Sequence, residues 1–166
     1  IMFGKGKGGL EQAFLDYNTL LLESDHQVTT LYQPGAYIEE ALKKQDVKAC
    51  PVSNWGKWDL WSMYQIRRLI LQEKPDAVIV HGNRALALTP PIENIPLIAV
   101  AHNYSLDHFT KADWGVGVTK ALARALNLKG VRQTHHIPNM LPLTKPYEGF
   151  QPWEGVPVIG AWGRFV

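Results

Sequence analysis

Four glycines and two lysines crowd the segment Gly4-Lys5-Gly6-Lys7-Gly8-Gly9, directly ahead of a run with helical spacing. Glycines let backbone N–H groups approach an anion closely, and a helix N-terminus adds partial positive charge. The chemistry implied is the binding of a phosphate-bearing ligand; a flexible, basic surface turn is the plainer alternative. Gly4, Gly6 and Gly9 satisfy G-x-G-x-x-G, the dinucleotide fingerprint. Its acidic partner is missing, because the next strand ends Leu31-Tyr32-Gln33-Pro34 and no carboxylate follows before Glu39. No Gly-Lys-Ser or Gly-Lys-Thr is present, so the other common nucleotide loop is incomplete as well.

Histidines are the second candidates. His102 ends the apolar run Leu97-Ile98-Ala99-Val100-Ala101, and His81 ends Ala77-Val78-Ile79-Val80. Ligands of open parallel sheets gather beyond the carboxyl ends of strands, so His102 is the leading imidazole and His81 the weaker one. The competing reading for His102 is a strand-end residue that caps backbone groups. His135-His136 is not a metal site: neighbours on a strand point to opposite faces, and no further ligand has metal spacing.

Trp55, Trp58, Trp61 and Tyr64 recur every three residues, with Arg67 and Arg68 just beyond. Such rings stack on sugars or anchor at a membrane interface, and the arginines suit anionic lipid or a phosphorylated acceptor. An aromatic stripe at helical spacing is more often core, so packing is the expected role and ligand contact the minor one.

The elements that must hold these groups alternate. Leu10, Phe14, Tyr17 and Leu21 form one helical face, with Ala13 and Leu20 beside it. Short strands are expected at 28–32 and 47–52, a short helix at 38–44, and a longer helix at 59–73 with Met63, Ile66 and Ile70 inward. Residues 77–80 and 97–101 are apolar without alternation, as in strands covered on both faces, and 114–118 resembles them more weakly. Thr119 is placed to cap a helix at 120–127. Strands alternating with helices imply an α/β fold, a doubly wound parallel sheet of Rossmann-like type.

With 166 residues and 46% hydrophobic content, the chain buries a sizeable core and is not a disordered tail. Charge is nearly balanced at +2, from 17 basic and 15 acidic residues, too little to argue for nucleic acid. The single cysteine, Cys50, excludes a disulfide scaffold and a cysteine-rich zinc site. The apolar runs fall far short of the ~20 residues of a spanning helix, and no signal-peptide pattern opens the chain. A soluble, cytoplasmic unit is expected.

Five ordered segments resemble one family. Gly8-Gly9-Leu10-Glu11, leading into a helix with Phe14, is similar to the Gly-Gly-Ile/Leu-Glu opening of the family-four glycosyltransferases, enzymes of GT-B fold. Lys74-Pro75-Asp76 with the strand to His81, and Pro96 to Asn103, resemble that family's two histidine-ended strands. Ile137-Pro138-Asn139 resembles its Ile-Pro-Asn-Gly turn, with Met140 in place of the glycine, and Val158 to Arg164 the Gly-Arg strand opening a second lobe.

The resemblance implies an N-terminal, acceptor-side lobe at 1–140, an interlobe linker at 141–155, and the first strand of a truncated nucleotide-sugar-binding lobe at 156–166. It implies transfer of a sugar from a nucleotide-sugar to a saccharide or glycolipid of an envelope polymer, with retention of configuration. Neither cofactor nor metal is expected, and the fragment alone would be inactive. His102 would lie by the transferred sugar as the catalytic candidate, and Gly8, Gly9 and Arg164 would hold the donor diphosphate. His81, Asn103, Trp58 and Trp61 are candidate acceptor contacts. Implied partners are the donor, the acceptor, the missing C-terminal lobe and, at the periphery, the inner membrane surface. Two alternatives stay open: an NAD(P)-binding oxidoreductase domain, supported by the loose glycine fingerprint, and a non-catalytic Rossmann-like interaction module.

Overall fold

The computed structural model describes residues 1–140 except Asp46 and Lys57. The expected linker at 141–155, the strand at 156–166 and Arg164 lie outside the described residues. Helix α1 (Gly9–Glu23) follows the glycine loop, then come β1 (Thr29–Tyr32), α2 (Glu39–Leu42), β2 (Lys48–Pro51) and α3 (Leu60–Glu73). The second half holds β3 (Val78–His81), α4 (Asn83–Leu88), β4 (Leu97–Ala101), a 3-10 turn (Phe109–Lys111), β5 (Trp114–Gly117), α5 (Lys120–Leu128) and β6 (Gln133–His136).

All pairings among these strands are parallel, β1 with β2 and β3-β4-β5-β6 in order. Ile1–Phe3 runs between the two sets. Met2 N–H donates to Leu31 O at 3.0 Å on one side, and His81 N–H donates to Ile1 O at 2.9 Å on the other. The chain therefore builds outward from the centre, first to β1 and β2, then back across to β3 and on to β6. That reversal makes a topological switch point between Ile1–Phe3 and β3, where open α/β sheets form ligand crevices.

Burial follows the expected periodicities closely. Val78, Val80, Leu97, Ala99 and Ala101 share one core cluster with Ile66 and Ile70 of α3 and Leu126 of α5. Phe14, Ile38 and Leu42 join Met2 and Tyr32 in a second. Thr119 caps α5 as its spacing predicts, its hydroxyl accepting from Leu122 N–H at 3.1 Å. Asp59 caps α3, accepting from Ser62 N–H at 3.0 Å. At Gly117 the backbone of α5 passes so close to β5 that an added Cβ would strike the Ala123 amide nitrogen and, at 2.8 Å, Ala123 Cα.

The aromatic stripe is not core. Trp55 is 96% exposed, Trp58 85% and Trp61 65%, and Tyr64 is exposed beside them. Helical geometry accounts for the correction. Ile66 and Ile70 are the buried residues of α3, with Met63 packed beside them. Trp61 and Tyr64 precede Ile66 by five and two residues, which turns them ~140–200° away from it at 3.6 residues per turn. One helix cannot bury both stripes against the same sheet, and the β-covered aliphatic one wins.

Candidate functional site

The loop Gly4–Gly8 and the ends of β3 and β4 project from one edge of the sheet. Gly8 is the extended residue ahead of α1 (φ −161°, ψ −177°) and brings no capping side chain, so the first N–H groups of the helix lack a side-chain acceptor. A Cβ on Gly9 would meet nothing within 4 Å, which leaves open space at this helix start. Gly4 is different: a Cβ there would collide with the Glu11 carboxylate, which folds back over the loop, and would lie 3.1 Å from Met2 sulfur. Lys7 extends its ammonium over the Tyr37 ring, 5.0 Å from the centroid.

His81 and His102 meet across the sheet. Nδ1 of His81 and Nε2 of His102 are 3.2 Å apart. His81 is only 3% exposed and lies edge-on to Phe14 and Tyr17 of α1, at 5.3 and 4.9 Å between centroids. These two rings enclose His81 on the α1 side. His102 is half-buried, and desolvation lowers its pKa from 6.5 to about 4. Burial, above all, holds His81 well below the ordinary imidazole range too, with His102 adding to the effect. Both rings are neutral at pH 7. His102 can therefore give or take a hydrogen bond with a ligand oxygen, but brings no positive charge to it.

The loop after β4 is held from the neighbouring strand's exit. Asn83, first residue of α4, donates to Ser105 Oγ at 3.0 Å and accepts from His108 N–H at 3.1 Å. Asn103 is exposed, its side-chain oxygen accepting from Ser105 N–H at 3.0 Å, so it turns the loop beside His102. Trp58 reaches this region, its ring 6.4 Å from that of His108. Arg84 donates to Asn54 Oδ1 at 2.6 Å, tying α4 to the tryptophan loop. Trp55, Gly56, Trp58, Asp59 and Leu60 line a hollow of about 540 Å³. Asp59 also accepts from Trp55 N–H at 3.0 Å, and the Ser62 hydroxyl and amide hold its carboxyl below the ordinary range.

The structure thus brings Gly8, Gly9, His81, His102 and Asn103 to one edge, with Trp58 near its rim. Trp61 stands on the outer face of α3, stacked on Tyr64 at 5.7 Å. Sequence reading missed Asn83 and His108. The signal available was position alone, directly after the two strand-ending histidines. His135 stacks on Trp114 (5.3 Å, 20°), three strands along the sheet from His81, on β6.

Comparison with known proteins agrees with the segmental resemblance. The model of glycosyltransferase family 4 matches residues 7–145. The chain belongs to this family. Among solved structures, this glycosyltransferase chain is similar in fold to MurG of Acinetobacter baumannii, with 18% identity and a TM-score of 0.60. The match covers 73% of this chain and 41% of that one, so the glycosyltransferase chain spans less than half the length of MurG. A search of curated protein sequences finds no match. The α/β, parallel, Rossmann-like architecture and its GT-B kinship are thereby established. Family membership displaces the dinucleotide reading, in keeping with the missing carboxylate after β1, where buried Gln33 stands instead.

Proposed function

We propose that the chain is the acceptor-side lobe of a retaining enzyme that transfers a sugar from a nucleotide-sugar to a saccharide or glycolipid of an envelope polymer. The observation that carries this reading is the placement of the glycine loop and the His81–His102 pair on either side of the topological switch point. Departure of a nucleoside diphosphate builds negative charge, which preorganised N–H donors stabilise most where water is excluded. The N–H groups of Gly8 and Gly9, uncapped at α1, supply such donors, and Arg164 would add a guanidinium fork from beyond the described residues. No metal is assigned a part. His102, neutral and half-buried, is suited to a sugar hydroxyl or diphosphate oxygen.

The exposed tryptophans support the acceptor side. Trp58 and Trp61 offer flat faces for a saccharide, with Asn103 nearer His102. Trp55, Leu60, Tyr64 and the exposed Arg67 and Arg68 would favour peripheral contact with an anionic inner membrane surface, where a glycolipid acceptor resides. No helix among the described residues is long and apolar enough to cross a membrane. The test is donor hydrolysis and transfer by the full-length protein, wild type against His102→Ala, with the anomeric product followed by NMR. Loss of turnover with a retained anomer supports the reading; equal rates would remove the proposed site, and an inverted product would remove retention.

A further inference from the structure

We propose that His81 is a positioning residue for His102, confining it to one tautomer and one ring plane so that a single nitrogen, Nδ1, is offered to the ligand. This inference rests on the reading of His102 as ligand-facing. The two rings are nearly parallel, 24° apart, with centroids 5.4 Å apart and nitrogens at 3.2 Å. Two neutral imidazoles joined nitrogen to nitrogen share one hydrogen, so one must donate and the other accept. Fixing the tautomer of either therefore fixes the other.

His81 has little freedom to rearrange. Phe14 and Tyr17 stand nearly perpendicular to its ring, at 81° and 83°. Its backbone is held in the sheet by the bond to Ile1 O. Among the described residues, its side chain is hydrogen-bonded to His102. A leucine would fill this enclosure without the desolvation cost of a buried polar group, so space filling does not account for an imidazole. The clamp comes from α1, the helix that begins at Gly8-Gly9. The segment that forms the anion-facing loop thus also immobilises the ring behind His102. Among the described residues, Nδ1 of His102 has no hydrogen-bond partner and is the edge left for a ligand.

The experiment uses full-length protein with ¹⁵N-labelled histidine, in wild-type form and as His81→Leu, His81→Asn and His102→Ala. Long-range proton–nitrogen spectra read the tautomer of His102; hydrolysis of UDP-glucose and GDP-mannose reads turnover. Wild type is expected to show His102 as one tautomer, and His81→Leu an averaged mixture. His81→Asn, whose amide reaches the place of Nδ1, should restore the single tautomer. Turnover should fall about 10- to 100-fold in His81→Leu, the size of loss seen when the outer partner of a metal-bound histidine is removed, with KM little changed and recovery in His81→Asn. A packing role alone would not give rescue by the polar, smaller asparagine over leucine. An unchanged His102 tautomer in folded His81→Leu overturns the proposal, as does an averaged mixture in wild type, which needs no variant at all. His102→Ala with undiminished hydrolysis would instead sink the functional reading while leaving the tautomer result standing.

Discussion

Acid should weaken this fold through His102, and the size of the effect can be worked out. In the unfolded chain its imidazole titrates near 6.5, whereas burial lowers the folded value to about 4. The unfolded state thus binds the proton more readily. The stabilisation is fully present above the unfolded value and is lost as pH falls from there toward the folded one. Linkage gives roughly 2 kcal/mol lost between about pH 8 and pH 5, trimmed to about 1–2 kcal/mol because the ring keeps a solvent-facing edge. The perturbation is His102→Gln, which keeps an amide where Nε2 meets His81 but cannot titrate. Urea unfolding of wild type and variant at both pH values is the assay. The variant should lose ~1–2 kcal/mol less than wild type on acidification. Parallel losses in the two proteins, or an NMR titration placing folded His102 near 6.5, would refute the reasoning. His81 shifts in the same direction, and because His102 contributes to that shift, the comparison reads the two rings as a coupled pair.

Three other substitutions probe the scaffold and its rim. Gly117→Ala should destabilise by about 1–3 kcal/mol, since the new methyl drives into the α5 backbone, and thermal unfolding would show the drop. Asp59→Ala removes the α3 cap and the anchor of Trp55 together, which should lower the urea midpoint and speed proteolysis at 53–56. Because hydrogen bonds from Ser62 lower the Asp59 pKa, its contribution is present above the ordinary carboxylate range and fades as pH falls through the depressed value. Trp55→Ala with Leu60→Ala should leave stability within ~0.5 kcal/mol while weakening binding to vesicles containing anionic lipid, measured by co-sedimentation.

The periodic elements were legible because their burial is local in origin. Residues 97–101 are apolar at every position and form the strand at the middle of the β3–β6 set, and Thr119 caps where its spacing says it should. Helix α4 was not read, since six residues with Ala85, Leu86, Ala87 and Leu88 all buried show no amphipathic contrast. The tryptophan stripe misled for the opposite reason. Its period is helical, but periodicity reports which residues share a face and not which face meets the sheet. At the site, His102 was legible from its strand end. The contact with His81 was not, because it depends on register between strands separated by fifteen residues of connecting chain (82 to 96). The role of Asn83 escaped for the same cause: its partners at 105 and 108 are brought near only by that pairing.

The outward-facing indoles change how this molecule can be watched. Intrinsic fluorescence usually reports unfolding because buried rings become wet, but Trp55, Trp58 and Trp61 already stand in water. The emission of these three will barely move on denaturation, so far-ultraviolet dichroism is a gauge of folding that does not depend on them. The same rings should shift to the blue and brighten when a glycan or bilayer covers them. Light emission therefore becomes a label-free reporter of what settles on the rim.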